Sequence, residues 1–374
     1  MEIKEWRKLA ARSVGLLGLV LILSVFCFIH RYGNIEKTVH AQNQEKNDFG
    51  ALPEQAAERQ EATVSDVEEI KRISENYIVI PKLKSGQASG AYLDNEYMDF
   101  SISLTLKGVT AEGYHKKKIK RVCYGEEYTG NTKEEKDIVS KLSVTSCQTG
   151  ETKAVCIRME LKDVYEPTLY ETEESYYISL EKPEKLYDKI IVLDAGHGGI
   201  DEGTVSLDGK YREKDYALKV VKYLKELLDD SDYKVYCTRL GDTDITKAKR
   251  TRLANAVHAD AFISIHCNAS EPGETTANGM EALYSSRKEA AAQSLTSKQL
   301  AAVVLEQLCE GTGRKSRGVI RRDGLYLMNH AKVPVTIIEI GYMSNHSDLR
   351  YLLKEKNQQK IARGIYAGIE NALQ

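Results

Sequence analysis

Three long apolar runs in the second half of the chain each lead into one residue that can bind a metal ion or transfer a proton. The runs are IIVLDAGHGG, AFISIHCNA and VPVTIIEIGYMSN, and the residues are His197, His266 and Glu339. A short continuous apolar run is typical of a strand buried on both faces of a sheet. Ligands of open α/β sheets bind beyond the carboxyl ends of the strands. We therefore expect the three side chains to share one crevice.

Helical patterns alternate with these strands from residue 188 to the end of the chain. Strands are predicted over 189–195, 233–239, 261–267, 280–284 and 333–340, and helices over 215–230, 246–258, 297–309 and 357–372. Strands that alternate with helices predict βαβ units. Residues 188–374 should therefore form an α/β domain whose mostly parallel sheet is flanked by helices.

Residues 76–187 have a different character, with many Tyr, Val, Ile and Thr residues in alternating stretches. The stretches are YIVIPKL, DFSISLTLKG, KLSVTSC, KAVCIRMEL and YYISLEK. They predict a small all-β domain, built as a sandwich. Cys147 and Cys156 flank a turn signal at 149–152, so they could face each other across two strands and form a disulfide. Two buried thiols are an equally good interpretation.

The first part of the chain reads as a membrane anchor followed by a spacer. Residues 13–29 carry no charge, and about 17 apolar residues is the shortest length that spans a bilayer as a helix. Basic residues precede this segment, which predicts a cytoplasmic tail at 1–12, an anchor at 13–30 and a polar spacer at 31–75. The alternative is a signal peptide cleaved at Val39-His40-Ala41. In both cases everything after residue 30 is exported.

Composition and motifs exclude several classes of function. The formal net charge of −2 argues against nucleic acid as a partner. No Gly-x-Gly-x-x-Gly or Walker pattern is present, so nucleotide binding fits poorly. No Cys-x-x-Cys spacing occurs, so a zinc site built from thiolates is not expected.

The two histidines instead suit a catalytic zinc ion. Imidazole nitrogen is a preferred zinc ligand, and two His residues with one carboxylate are a common catalytic set. Three acidic residues follow His197 closely enough to supply that carboxylate: Asp201, Glu202 and Glu213. Their positions alone leave the choice open, because an acidic residue at a helix start is also simply favourable there.

Glu339 lies inside an apolar strand, where glutamate is rare unless it is paired. Burial raises the pKa of a carboxyl group toward neutral pH, which suits a general base. A buried structural ion pair is the alternative interpretation.

These residues lie in blocks that resemble the zinc-dependent N-acetylmuramoyl-L-alanine amidases of the Amidase_3 type. The matching blocks are IVLDAGHGG (191–199), REKD (212–215), TR (238–239), Arg250 ahead of AN (254–255), SIHCNA (264–269), RGV (317–319) and EIGYMSN (339–345). The resemblance implies one zinc ion bound by His197, Glu213 and His266, with Glu339 as the catalytic acid/base. Cys267 and Tyr342 depart from the pattern, since a small residue and Phe are usual there.

The resemblance implies peptidoglycan as the substrate, cut at the amide between N-acetylmuramic acid and the first L-alanine of the stem peptide. Asn268 and Arg317 are candidates for substrate contacts. The other basic residues near Arg317 are expected to be solvated, and these are Arg314, Lys315, Arg321 and Arg322.

Residues 141–185 resemble an AMIN-type wall-targeting domain. The basic run at 115–118, followed by Lys120 and Arg121, could contact an anionic wall polymer or form a solvated loop. The expected location is the cell membrane, with a single span, a cytoplasmic N-terminus and the catalytic domain on the wall side. A different zinc-dependent wall hydrolase (a peptidase or a deacetylase) and a non-catalytic wall-binding regulator are the competing functions.

Overall fold

The structure is a computed structural model that describes Arg72 and residues 74–83, 88–131, 133–271, 274–286 and 295–374. The predicted cytoplasmic tail, membrane anchor and possible cleavage site, and all but the end of the predicted spacer, lie outside these residues. Within the part that the structure describes, no helix is both long enough and apolar enough to cross a membrane.

Among the described residues, nine strands form two antiparallel sheets, which we call the β sandwich. The strands are β1 (Asn76–Pro81), β2 (Gly90–Glu96), β3 (Ser101–Lys107), β4 (Lys120–Cys123), β5 (Glu126–Thr129), β6 (Val139–Thr149), β7 (Thr152–Leu161), β8 (Glu166–Glu171) and β9 (Ser175–Glu181). The sheet orders are β5-β4-β1-β9-β8 and β2-β3-β7-β6. Alternate side chains of both sheets, such as Ile78, Leu104 and Ile157, are fully buried in one core between them.

The two cysteines of the β6–β7 hairpin do not face each other. Cys147 lies opposite Ala154, and Cys156 lies opposite Thr145, so the two thiols are offset by two residues. Both are free and only partly buried. The expected facing pair is therefore wrong, because residue spacing alone does not fix the hairpin register.

The basic run of the β sandwich divides between surface and core. Lys116–Lys118 form a single 3-10 turn, and the Lys120 ammonium pairs with Glu127 at 3.0 Å. Arg121 is instead fully buried and pairs with Asp137 at 2.6 Å. Arg121 is thus unavailable to an external polymer, contrary to the expectation from the sequence.

The α/β domain contains six strands and six helices among the described residues, and a short helix, α1, precedes it. The strands are β10 (Ile190–Ala195), β11 (Lys234–Cys237), β12 (Ala261–Asn268), β13 (Met280–Tyr284), β14 (Ser316–Arg321) and β15 (Val335–Tyr342). The helices are α1 (Pro183–Leu186), α2 (Glu213–Asp229), α3 (Lys247–Ala256), α4 (Ser297–Thr312), α5 (Tyr326–His330), α6 (His346–Leu352) and α7 (Glu355–Leu373).

The sheet of this domain is mixed and has the order β11-β10-β12-β15-β13-β14. Strand β13 runs antiparallel to β15, whereas the other neighbouring strands run parallel. Strand β14 was not predicted, because its polar and basic sequence SRGVIR lacks the apolar signal of a buried strand. The predicted flanking helices are present.

Both faces of the sheet are covered, which explains the continuous apolar runs. Ile191 and Leu193 of β10 pack on one face beneath helices α2, α4 and α7. Ile190 and Val192 pack on the opposite face against α3 and α5, together with Phe100 and Val164 of the β sandwich. The β sandwich therefore covers part of a sheet face in place of a helix.

Polar contacts fix the β sandwich to the α/β domain. The hydroxyl group of Tyr97 donates to the carbonyl oxygen of Cys237 at 2.9 Å, and Lys249 pairs with Asp99 at 2.6 Å. The Arg252 guanidinium lies 3.6 Å from the centroid of the Phe100 ring. Both parts belong to one compact unit.

Candidate active site

The three strands that carry the apolar runs are neighbours in the sheet, in the order β10-β12-β15. His197 follows the end of β10, and His266 lies near the end of β12. Glu339 of β15 lies directly opposite His266 in the parallel register. The carboxyl ends of the strands thus bring the three residues to one edge of the sheet, as their sequence positions predicted.

Glu213 joins this edge from the first residue of helix α2, where an acidic residue also complements the helix dipole. Its Oε1 atom lies 3.2 Å from Nε2 of His197 and 2.7 Å from Nδ1 of His266. One ligand atom from each of the three residues lies within 4.8 Å of the others. Two imidazole nitrogens and one carboxylate oxygen in this arrangement form a donor set that suits zinc.

The charges of the three residues are strongly coupled. Burial opposes ionisation of Glu213, but the hydrogen bonds and charges of the two imidazoles outweigh it and hold the pKa of that carboxyl well below its usual range. Burial also opposes protonation of His266, yet its contact with Glu213 raises the pKa of the imidazole. The carboxylate is therefore ionised at neutral pH, as metal binding requires.

Asp201 and Glu202, the two competing carboxylates, lie outside this group. The Oδ1 atom of Asp201 is 2.9 Å from Nδ1 of His197, on the other side of the imidazole from Glu213. Glu202 pairs with Arg212. A carboxylate at the second nitrogen of a ligating histidine orients the ring and fixes its tautomer. The structure thus places Asp201 beside a candidate ligand and leaves Glu213 in the group.

The loop that carries His197 has an unusual backbone, because His197 itself adopts the left-handed conformation with φ +59°. Two buried arginines hold this loop by its carbonyl groups. Arg239 donates to the carbonyl oxygens of Ala195 at 2.9 Å and Gly196 at 2.7 Å. Arg250 donates to those of Ala195 and His197, both at 2.7 Å. These contacts stabilise a conformation that costs about 1–3 kcal/mol in isolation.

Asp194 provides the counter-charge beneath the loop. It is fully buried, forms an ion pair with Arg250, and accepts hydrogen bonds from the hydroxyls of Thr238 at 2.6 Å and Ser264 at 2.5 Å. Burial opposes its ionisation, but Arg250 and the two hydroxyls outweigh this and lower the pKa of Asp194. Strand β10 therefore carries both a buried charge and, just beyond it, a candidate metal ligand.

Gly196 is required by space, because the ring of His266 packs against its α-carbon. A Cβ atom at this position would lie 2.4 Å from Cε1 and 2.5 Å from Nε2 of His266. Any side chain here would displace the imidazole.

Glu339 faces the same site without belonging to the three-residue group. Its Oε2 atom is enclosed by protein and accepts no hydrogen bond from a described residue. Burial is the largest influence and raises the pKa of Glu339 to about 7, while His266 opposes the shift and Glu213 adds to it. An unpartnered carboxylate oxygen beside a metal-type cluster is suited to exchange a proton with a bound molecule.

A second acidic residue, Glu281 of β13, lies directly opposite Glu339 on the neighbouring strand. Its carboxylate accepts from Nδ2 of Asn268 at 2.7 Å, Nε of Arg317 at 3.1 Å and the hydroxyl of Tyr342 at 3.3 Å. The two residues expected to contact substrate, Asn268 and Arg317, are thus joined through a carboxylate that the sequence analysis did not single out.

Comparison with known proteins shows which family the chain belongs to. The family model described as N-acetylmuramoyl-L-alanine amidase (Amidase_3) matches residues 191–371. The germination-specific N-acetylmuramoyl-L-alanine amidase of Bacillus subtilis (strain 168) is 34% identical over 198 residues, which are 49% of this chain and 79% of the relative. The chain belongs to the N-acetylmuramoyl-L-alanine amidase family. It is therefore a peptidoglycan hydrolase that cuts between N-acetylmuramic acid and L-alanine.

Other relatives of this amidase also match about half of the chain. The probable cell wall amidase LytH of Staphylococcus aureus is 32% identical over 188 residues, covering 50% of this chain and 58% of LytH. A crystal structure of an N-acetylmuramoyl-L-alanine amidase from Clostridium difficile 630 aligns with a TM-score of 0.46 and 32% identity, over 50% of this chain and 96% of that one.

Two of the four other basic residues near Arg317 form ion pairs in the amidase. Arg314 pairs with Asp348, and Arg321 pairs with Asp323. Glu281 is the residue that sequence reasoning missed, although the signal was the same as for Glu339: an acidic side chain inside the apolar strand sequence MEALY.

Proposed function

We propose that the amidase works with a single zinc ion held by His197, Glu213 and His266. The observation that carries this proposal is that one ligand atom of each residue lies within 4.8 Å of the other two. When bound, zinc would supply a Lewis acid that activates water and polarises the scissile carbonyl group.

The surrounding residues hold the ligands for this task. The Oδ1 atom of Asp201 lies 2.9 Å from Nδ1 of His197, and the other ring nitrogen, Nε2, lies 3.2 Å from Oε1 of Glu213. A carboxylate on the outer side of the ring would orient a ligating histidine. The backbone N–H of Cys267 donates to Oε1 of Glu213 at 3.0 Å, and that of Thr204 donates to Oε2 at 2.7 Å. Glu213 is therefore fixed on both carboxylate oxygens before any metal binds.

We assign proton transfer to Glu339. Its carboxylate takes a proton from the attacking water and passes it to the amide nitrogen as the carbon–nitrogen bond breaks. The products are a free lactyl carboxylate on the muramic acid and a new amino terminus on L-alanine. The position of Glu339 directly opposite His266 supports this role, because it brings the carboxylate beside the candidate zinc ligands.

The test is a pair of substitutions with matched controls. Glu339→Ala should retain zinc and lose wall hydrolysis by about 10²–10⁴-fold or more, whereas His197→Ala should lose zinc. Zinc content is measured by elemental analysis and hydrolysis by the release of new amino termini. Glu306→Ala and His346→Ala, at exposed positions, should change neither. Near-normal hydrolysis by Glu339→Ala would show that the assigned mechanism is wrong.

Product analysis separates the amidase reaction from the other zinc-dependent wall hydrolases. Mass spectrometry of wall digests should show intact stem peptides that begin with a free L-alanine. Fragments cut within the stem peptide would indicate a peptidase, and a mass change at the sugar acetyl groups would indicate a deacetylase.

We also propose that residues 13–30 anchor the enzyme in the cell membrane, with residues 1–12 in the cytoplasm, 31–75 as a spacer, and the β sandwich and α/β domain on the wall side. A tethered hydrolase acts only on wall within reach of its spacer. Cell fractionation tests this: an anchored enzyme resists extraction by salt and is released by detergent. A soluble extracellular form beginning after Ala41 would favour the secreted alternative.

The β sandwich is our candidate for a second wall contact, to an anionic polymer. His115, Lys116 and Lys118 are exposed on it, and His115 and Lys118 line a cavity of about 380 Å³ with Lys82. Charge reversal by Lys116→Glu and Lys118→Glu should weaken co-sedimentation with a polyphosphate polymer. Unchanged co-sedimentation would remove this contact from the proposal.

A further inference from the structure

Four neighbouring strands each place one ionisable side chain in a row along the edge of the sheet that carries the active site. His266 of β12 lies opposite Glu339 of β15, and Glu339 lies opposite Glu281 of β13. Arg317 of β14 continues the row through its contact with Glu281. Because neighbouring strands are about 4.8 Å apart, Arg317 lies roughly 10 Å from Glu339 along this row.

Glu281 is one of the two residues in this row that the catalytic mechanism leaves unused. It is 5% exposed, and it faces another carboxylate across the strand pair, an arrangement that destabilises a sheet unless the charge is compensated. Three donors provide the compensation: Asn268, Arg317 and Tyr342. A buried carboxylate that accepts hydrogen bonds from three side chains on three strands fixes the positions of those side chains.

The backbone of β14 is shaped to bring Arg317 to this position. The register between β13 and β14 shifts after Met280, and Gly318 has φ +96°. Irregularities of this kind re-aim side chains beside active sites. The Arg317 side chain is 32% exposed, and its guanidinium lies 5.0 Å from the centroid of the Tyr342 ring. The guanidinium is thus held from two sides while one part of it faces solvent.

We propose that Glu281 is a positioning residue that holds Arg317 to receive a carboxylate of the stem peptide. This inference rests on the proposed function, because it places the stem peptide along the row from Glu339 toward β14. An extended peptide rises about 3.3 Å per residue, so the roughly 10 Å between Glu339 and Arg317 corresponds to about three residues. Arg317 therefore binds a carboxylate that belongs to one of the first few residues beyond the scissile amide.

The chemistry of the guanidinium supports a carboxylate as its ligand. Arginine has five N–H donors in a planar fork, and the contacts with Glu281 and Tyr342 use only part of them. Charge-assisted pairs of this kind are stronger than neutral hydrogen bonds.

The test compares two soluble muramoyl peptides, one with free stem carboxylates and one with the same carboxylates amidated. For the full-length wild-type enzyme, amidation should raise KM by about 10- to 100-fold with little change in kcat, as expected for the loss of a charge-assisted contact. Arg317→Ala and Glu281→Gln should raise KM for the free-carboxylate peptide to a similar extent. Both variants should treat the two peptides alike.

Controls separate positioning from a general structural role. Arg321→Ala, on the same strand, should leave KM unchanged for both peptides. Combining Glu281→Gln with Arg317→Ala should be no worse than Arg317→Ala alone, because one residue acts through the other. If Glu281→Gln does not fold, Arg317→Ala and Arg317→Lys still test whether Arg317 binds the carboxylate, since the Arg317 side chain is partly exposed, and Glu281→Asp, which keeps the charge and shortens the side chain, tests the positioning.

The inference is overturned if the wild-type enzyme has equal KM for both peptides, or if Glu281→Gln lowers kcat and leaves KM unchanged. Calorimetric titration with the released stem peptide separates it from the proposed function, because binding needs no turnover. Arg317-dependent binding without Glu339-dependent cleavage would support the inference and refute the mechanism. Cleavage that requires Glu339 but has the same KM for both peptides would support the mechanism and refute the inference.

Discussion

The β sandwich and the α/β domain each bury one arginine–aspartate pair, and the two pairs serve different ends. Arg121 pairs with Asp137 in the β sandwich, and Arg250 pairs with Asp194 in the α/β domain, and all four side chains are almost completely removed from solvent. The electrostatic problem is the same in both places, because a buried charge is tolerated only when it is paired and hydrogen-bonded.

The difference lies in the backbone that each arginine holds. Arg121 donates to the carbonyl oxygen of Gly130 at 2.7 Å, while Asp137 accepts from the N–H of Val139 at 3.1 Å, so this pair closes a loop of the β sandwich. Arg250 instead holds the carbonyl of the candidate ligand His197. A buried ion pair thus affects function only when the segment it fixes carries a functional side chain.

The largest expected effect comes from breaking the pair beneath the active site. Arg250→Met leaves Asp194 as an unpaired buried carboxylate and frees the His197 loop. We expect the free energy of unfolding to fall by about 3–5 kcal/mol and zinc affinity to fall with it. Chemical denaturation and zinc titration measure the two quantities. A variant that is destabilised but binds zinc normally would contradict the role given to Arg250.

Arg121→Met makes the same change in the β sandwich. The loss of stability should again be about 3–5 kcal/mol, because the buried charge of Asp137 loses its partner. Zinc affinity and kcat of the folded protein should stay unchanged, since Arg121 touches no residue of the active site. If zinc affinity fell as far as in Arg250→Met, the pair in the β sandwich would affect the active site as strongly as the pair in the α/β domain.

Asp201→Asn removes the carboxylate that faces Nδ1 of His197. Its effect on the α/β domain should be smaller than that of Arg250→Met. Zinc affinity should fall by about 10–100-fold, as is usual for outer-shell partners of histidine ligands, with little change in stability. Asp208→Asn, an exposed change in the same loop, is the control and should have no effect. Equal zinc affinity in both variants would show that Asp201 does not orient the ring.

Gly150→Ala in the β sandwich should have the smallest effect. Gly150 has φ +61° at the β6–β7 turn, and a Cβ atom there would meet nothing within 4 Å. The cost is therefore conformational alone, about 1–2 kcal/mol, measured as a shift in thermal unfolding. A much larger loss would mean that the turn tolerates a side chain less well than its open surroundings indicate.

Much of the active site could be predicted from residues 190–199, 261–269 and 333–345, because strands buried on both faces have an unmistakable apolar sequence. His197, His266 and Glu339 follow from that pattern and from the rule that parallel strands present their carboxyl ends together. The choice of Glu213 did not follow from spacing, since Asp201 and Glu202 were equally well placed. It required the family resemblance, and the structure then put Glu213 within 3.2 Å of both imidazoles.

What the sequence determined by itself is the buried apolar strands, the long helices and the faces that they bury, because side-chain periodicity is a local property of the backbone. Only the tertiary structure decided which charges meet. Strand register and sheet order bury Arg121 and bring Arg239 and Arg250 to the carbonyl groups of the His197 loop. They also place Glu281 beside Asn268 and Arg317. These contacts join residues that are far apart in the chain, so no local sequence pattern predicts them.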